Sequence, residues 1–194
     1  MSSHSPEPSN LRRPHPLALR LIERAGSSGM RVLELGSGSG RNTAALRAAG
    51  FHVTAIADDA LSAPLRLSET FEAALSTHGL LHGTPHEVQD LLRETAAALC
   101  DDAPAYFTFA STRDARFGHG RRIDEDTYAA FEGEEAGVPH VFFGEAALRR
   151  ALEPCFAIDA LEELNADAIV GGWAHARVPV GTVHWFAQLH KRAG

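Results

Sequence analysis

The sequence predicts a three-layer α/β domain whose sheet is mostly parallel and ends on an antiparallel strand. Three observations lead there. Strand-like and helix-like stretches alternate along the chain, and a glycine-rich turn, "LGSGSGR", joins the first strand to a helix. The chain then ends in a strand pair, whose second member, "VHWFAQLH", is expected to run antiparallel to its neighbour.

Each element has a local reason. Leu17 to Ala25 carries the apolar residues Leu17, Leu19, Leu21 and Ile22 and is expected to form an amphipathic helix before Gly26. Val32 to Leu35 is a short apolar strand running into glycines. Thr43 to Ala49 is alanine-rich and helical, stopped by Gly50. Phe51 to Ile56 alternates as a second strand. Phe71 to Ser76, "FEAALS", reads as a strand between Glu69 and Thr77. Glu87 to Cys100 is a helix, with Val88, Leu91, Leu92, Ala96 and Leu99 on one stripe. Ala105 to Ala110 alternates again as a strand. Glu145 to Leu152 is a helix stopped before Pro154. Phe156 to Leu161 and Thr182 to His190 are the closing strands. Asn165 to Gly181, polar and glycine-rich, carries no clear period. Residues 113–140 are rich in Gly, Asp, Glu and Arg with little periodicity, the character of a lid or substrate segment.

Composition narrows the function. The chain has 194 residues, enough for a single core, and its formal charge of -7 disfavours a nucleic-acid backbone as partner. No apolar run approaches membrane-spanning length, so no membrane partner is expected. Cys100 and Cys155 lie far apart without metal-ligand spacing and read as free thiols of a reducing compartment. Residues 1–14 are polar and proline-rich, a disordered leader, and 15–194 form one domain with a cytoplasmic location as the default.

The glycine turn carries the chemistry. Gly36, Gly38 and Gly40 follow an apolar strand and open a helix, the context in which such a pattern binds a ligand at the carboxyl end of a sheet. Glu34 beside them would repel a pyrophosphate but suits a ligand with a cationic amino group.

"VLELGSGSGRNTAALRAAGFHVTAI" resembles the first motif and following helix of class I S-adenosylmethionine-dependent methyltransferases. The likeness continues through "FEAALSTHGLLHGTP", similar to the fourth-strand motif, and "HEVQDLLRETAAALCDDAPAYFTFAS". It extends to "AGVPHVFFGEAALRRALEPCFAI", which resembles the late region of small-molecule members, including the tellurite-resistance-like branch. The resemblance implies a Rossmann-like fold, S-adenosylmethionine as cofactor, and a cradle of Glu34, Gly36, Ser37, Gly38 and Gly40.

Two departures stand out. The family ends its second strand in an acid that holds the ribose hydroxyls, whereas "HVTAIADD" places Ala57 there, with Asp58 one residue later as the substitute. Only Asp58 to Thr70, interrupted by Pro64, separates the second strand from "FEAALS". The expectation is therefore a fold lacking its third strand, with six strands in all, a degenerate cofactor site and weak cofactor binding.

Side chains for catalysis are few. His78 and His82 follow "FEAALS", four apart, suited to one side of a helical turn and to proton transfer near neutral pH. A metal held by this pair lacks a third ligand at a recognisable spacing, so no metal site is expected. Asp59, Tyr128, His140 and Phe142 are candidates to face a substrate. Glu132, Glu134 and Glu135 read as a solvated patch.

The leading expectation is methyl transfer to a small molecule, with Glu34 and the glycines placing the donor and His78 or His82 taking a proton. A second is an enzyme on the same scaffold that has given up the cofactor and acts on an amine-bearing small molecule, for example by internal ring closure. A third is a non-catalytic subunit of a homodimer or heterodimer built over the exposed edge of the second strand.

Overall fold

Residues 13–26, 29–133, 135–166 and 181–193 are described by the structure, a computed structural model. The expected leader, residues 1–14, therefore lies almost wholly outside the described residues, as does most of the glycine-rich stretch before the last strand.

The first helix, α1 (Pro16–Ala25), begins with proline, whose missing N–H costs nothing in a first turn. β1 (Arg31–Leu35) leads through the glycine turn into α2 (Arg41–Ala48), and β2 (His52–Ile56) returns parallel to β1. β3 (Ala73–Ser76) lies on the other side of β1, also parallel. A capping box of Thr84 and Glu87 then starts α3 (Pro85–Ala98). β4 (Pro104–Ser111) pairs with β3 in parallel. After it come β5 (Arg121–Asp124), β6 (Thr127–Ala129), β7 (Pro139–Phe143), α4 (Glu145–Leu152), β8 (Phe156–Asn165) and β9 (Val183–Lys191).

The expectation of a missing third strand is corrected. The stretch assigned by resemblance to the fourth position, "FEAALS", is itself the third strand, seated between β1 and β4. Its alanines suit a strand buried on both faces, and the resemblance, not the residue pattern, puts it in the fourth position. Among the described residues the sheet holds nine strands instead of six, in the order β2-β1-β3-β4-β7-β6-β5, with β9 also pairing β4 and β8 pairing β9. The free edge of β4 is thus shared. β9 runs antiparallel along Pro104 to Ala110, as the sequence predicts for the closing strand, and β7 joins in parallel at Ala110 and Ser111.

The strands missed by pattern have plain causes. β5 is exposed along most of its length, so no apolar alternation marks it. "HVFF" of β7 is buried throughout and shows no alternation either.

Period-two alternation splits the core into two layers. Val32, Ala73, Leu75 and Tyr106 pack against Leu17, Leu21 and Leu46 of α1 and α2. Leu33, Ala74, Ala105 and Phe107 face Val88, Leu92, Leu148 and Leu152 of α3 and α4. Helices therefore cover both faces, and the loops at the carboxyl ends of β1, β3 and β4 meet at one edge.

Candidate functional site

Glu34 lies on the α1/α2 face of β1, one residue before the last of the strand, and is almost completely buried. One carboxylate oxygen, Oε2, accepts a short hydrogen bond from the Thr43 hydroxyl of α2. The other, Oε1, accepts no well-formed hydrogen bond. Its polar surroundings are the Asn42 amide and the guanidinium groups of Arg47 and Arg41. Burial pushes the Glu34 carboxyl above the ordinary carboxylate range, against the pull of those donors and cations. Arg41, the first residue of α2, is the reciprocal case: desolvation lowers it to about 10, opposed by Glu34.

The glycine turn divides its work. Gly36, Gly38 and Gly40 have φ of 68°, 48° and 75°, all in the left-handed region. A Cβ at Gly36 would lie 2.5 Å from Gly79 Cα and 2.8 Å from Asp58 Oδ1, so the close approach there is used by the chain itself. Gly40, the N-cap of α2, has open space around it, and Gly38 meets only Asp58. The amides of Gly36 and Ser37 both donate to the Ile56 carbonyl at 3.0 Å, tying the turn to the end of β2.

That tie sets the place of Asp58. It starts a short 3₁₀ turn, Asp58–Ser62, and its Oδ2 accepts from the Gly38 amide at 3.2 Å. Ala57, at the expected acid position, leaves no gap, because the turn brings the next residue round to the glycines. Asp59 is exposed, with its carbonyl accepting from the Ser62 hydroxyl. Both aspartates border a cavity of about 550 Å³ whose other walls include Leu61, His82, Gly83 and Pro139.

His78 and His82 do not share a face. A 3₁₀ turn, Gly79–Leu81, separates them. The His78 ring meets His184 of β9 edge-on at 5.9 Å, while the His82 ring meets His140 edge-on at 4.8 Å. His140 sits opposite Tyr128 across β6 and β7. Tyr128 and Phe142 pack with Phe117, Leu81 and Ala110 in a small apolar cluster, and Phe142 is buried within it.

Sequence reading passed over a second polar group at this edge. Asp114, buried just past β4, pairs with Arg116 at 2.9 Å and accepts from the Val183 amide at 2.9 Å. Burial acts to raise its carboxyl, but the Arg116 guanidinium and the backbone donors outweigh it and hold it below the ordinary range. Arg116 also reaches His184 Nε2 at 3.3 Å. A guanidinium only donates, so this nitrogen is the acceptor. Nothing in the local spacing signals the group, because its members come from a loop and from a strand far along the chain.

His15 caps α1: its Nδ1 accepts from the Leu17 amide at 3.1 Å. Its own amide donates to Asn42 Oδ1, and the Asn42 amide donates to the Thr77 hydroxyl. This chain of bonds fixes α1, α2 and the end of β3 relative to one another.

Such an arrangement can hold a small molecule that presents a cation to Glu34, an anionic group toward Arg41 and hydroxyls to Asp58. Solved structures share the fold. An S-adenosylmethionine-dependent methyltransferase from Methanosarcina mazei superposes with a TM-score of 0.71 at 19% identity, over 94% of this chain and 100% of that one. The 1,6-didemethyltoxoflavin-N1-methyltransferase of Burkholderia thailandensis, with bound 1,6-didemethyltoxoflavin and S-adenosylhomocysteine, gives 0.68 at 20% identity, over 96% and 80%. No family model matches the chain, and no curated protein sequence matches it. At these identities the likeness is one of fold: the chain has a class I methyltransferase-like, Rossmann-like α/β architecture. Among the described residues no helix is long and apolar enough to cross a membrane.

Proposed function

We propose that the protein is an S-adenosylmethionine-dependent methyltransferase acting on a small molecule. The observation that carries this reading is the line of Glu34, the left-handed glycine turn and Asp58 along the carboxyl edge of β1 and β2. Glu34 Oε1, buried without a well-formed hydrogen bond, fits the amino group of the cofactor's methionine part. Arg41, half-buried and positively charged, fits the carboxylate of the same part. Gly38 and Gly40 leave room at the turn, and the Asp58 carboxylate, held at the turn by the Gly38 amide, fits the ribose hydroxyls. When bound, the cofactor would supply an electrophilic methyl group. The chain's task is then alignment and desolvation, with His78 assigned the role of receiving a proton from the acceptor.

A second reading keeps the fold and drops the cofactor: an enzyme acting on an amine-bearing small molecule through Glu34. The observation favouring it is that Gly79 and Asp58 already occupy the space over Gly36. A dimer over the edge of β2 is not taken into the reading. Arg47 donates to the Val53 carbonyl and Thr54 donates to Glu69 at that edge, two polar contacts of the kind that guard an edge strand.

The test is to incubate the protein with methyl-labelled S-adenosylmethionine and a set of small amines, phenols and thiols. Label in a product, together with S-adenosylhomocysteine, supports methyl transfer. Turnover of an amine in the absence of the cofactor supports the second reading.

A further inference from the structure

From the structure we infer a divalent transition-metal site built by His82, Glu135 and His140, with an open coordination position on the cavity beside Asp58. Glu135 and His140 lie five residues apart, and topology brings the distant His82 to them. His82 closes the 3₁₀ turn after β3, and Glu135 lies in the turn before β7, which His140 enters. An isolated β-bridge joins His82 to His140, and the Gly83 amide donates to the Pro139 carbonyl at 2.9 Å, so backbone contacts hold the two histidines side by side. The partners of His82 therefore come from the β6–β7 turn and from β7 itself, and not from His78.

The donor atoms converge. One ligand atom from each residue lies within 4.8 Å of the other two. His82 Nε2 stands 3.5 Å from Glu135 Oε1, and His140 Nε2 stands 3.0 Å from Glu135 Oε2. Ligands about 2.0–2.2 Å from a tetrahedral zinc ion are roughly 3.4 Å from one another, so only small side-chain movements are needed. The rings are perpendicular, at 89°, which lets two lone pairs point at one ion without the rings colliding.

Hydrogen-bond accounting points the same way. His140 Nδ1 faces the Val138 carbonyl at 2.9 Å, and a carbonyl only accepts, so this nitrogen carries the N–H. In a neutral ring Nε2 then presents a lone pair to a carboxylate oxygen 3.0 Å away. Two acceptors face to face are relieved by a proton or by a metal ion between them. The Val138 carbonyl is also the kind of outer partner that fixes the tautomer of a metal-bound histidine.

The ligand set selects the ion. Two imidazoles and one carboxylate suit zinc, cobalt or nickel better than magnesium or calcium, which prefer oxygen donors. Three protein ligands leave a fourth position, and His82 and Glu135 line the cavity of about 550 Å³ together with Asp58 and Asp59. A water or a small-molecule heteroatom completes the shell from that side. The inference does not depend on methyl transfer.

The full chain, stripped with a chelator, is titrated with zinc chloride by calorimetry and with cobalt chloride by visible absorption. Wild type, Glu135→Gln and His82→Asn are compared, with His119→Asn as a control on an exposed histidine. One tightly bound zinc per chain, a four-coordinate cobalt spectrum and a rise in Tm with zinc are expected. The two site variants should each weaken binding at least tenfold, while the control leaves it unchanged. Absence of binding, or binding equally strong in Glu135→Gln and His82→Asn, overturns the inference and leaves the cluster as a hydrogen-bonded clasp on the entry to β7. Melting curves of the metal-free variants confirm that each is folded before its affinity is compared.

Discussion

Asp58 accepts a hydrogen bond from the Gly38 amide at 3.2 Å, bringing together residues twenty apart in the chain. The contact puts a carboxylate at the end of β2 within reach of the glycine turn, although the strand's own next residue is Ala57. Under the proposed function, this carboxylate would stand in for the acid that the sequence lacks at that point.

Glu34→Gln should separate stability from function. Burial raises the Glu34 carboxyl, so its ionised form opposes folding. Because the folded-state pKa lies above the unfolded one, stability is greatest below the unfolded value and falls as pH rises through the folded one. The amide variant removes that loss, so its Tm near neutral pH should exceed that of wild type. Turnover should fall at least tenfold, about 1.4 kcal/mol in the barrier. Paired melting curves and initial rates check both halves.

His78→Ala should lower turnover at least tenfold while leaving cofactor affinity and Tm close to wild type. The ring is half-buried at the N-cap of the Gly79–Leu81 turn and makes no capping bond through its side chain. Rates at saturating cofactor, with calorimetric affinity measured alongside, distinguish this from a structural role, which would lower Tm instead.

His15 should make the fold sensitive to mild acid. Burial, with Arg41 and His184 adding to it, pushes the ring well below 6.5, and its Nδ1 must stay unprotonated to cap α1. Below 6.5 the unfolded chain takes up a proton that the folded chain refuses. Stability is therefore full above that value and declines as pH falls through the folded-state pKa. Urea unfolding at about pH 7 and about pH 5.5 should show a smaller loss in His15→Asn, which keeps a capping side chain without a titrating ring.

Much of this was legible in sequence, and the failures have physical causes. The glycine turn, α3 with its stripe, and the antiparallel closing strand all follow from local pattern, because each element is defined by its own neighbours. β3 was legible as a strand, but its place came from the resemblance, because strand order is set by pairing with β1 and β4 and not by local pattern. The pairing of His82 with Glu135 and His140 was invisible for another reason. Glu135 reads as one more acid in a solvated run, and only the β6–β7 turn carries it to the histidines. Asp114, Arg116 and His184 were missed alike, since their contact joins the loop after β4 to β9. Trp173 lies outside the described residues, whereas Trp185 is buried and donates to the Phe143 carbonyl at 2.7 Å.

The central claim is that Glu34, the glycine turn and Asp58 form a cofactor site, and calorimetric titration of the full chain tests it most directly. S-Adenosylmethionine and S-adenosylhomocysteine are titrated into wild type and into Asp58→Ala. The account predicts one binding site in wild type and an affinity at least tenfold lower, about 1.4 kcal/mol, in the variant, with Tm unchanged because Asp58 is partly exposed. No binding of either compound to wild type, or equal binding to both proteins, would contradict it.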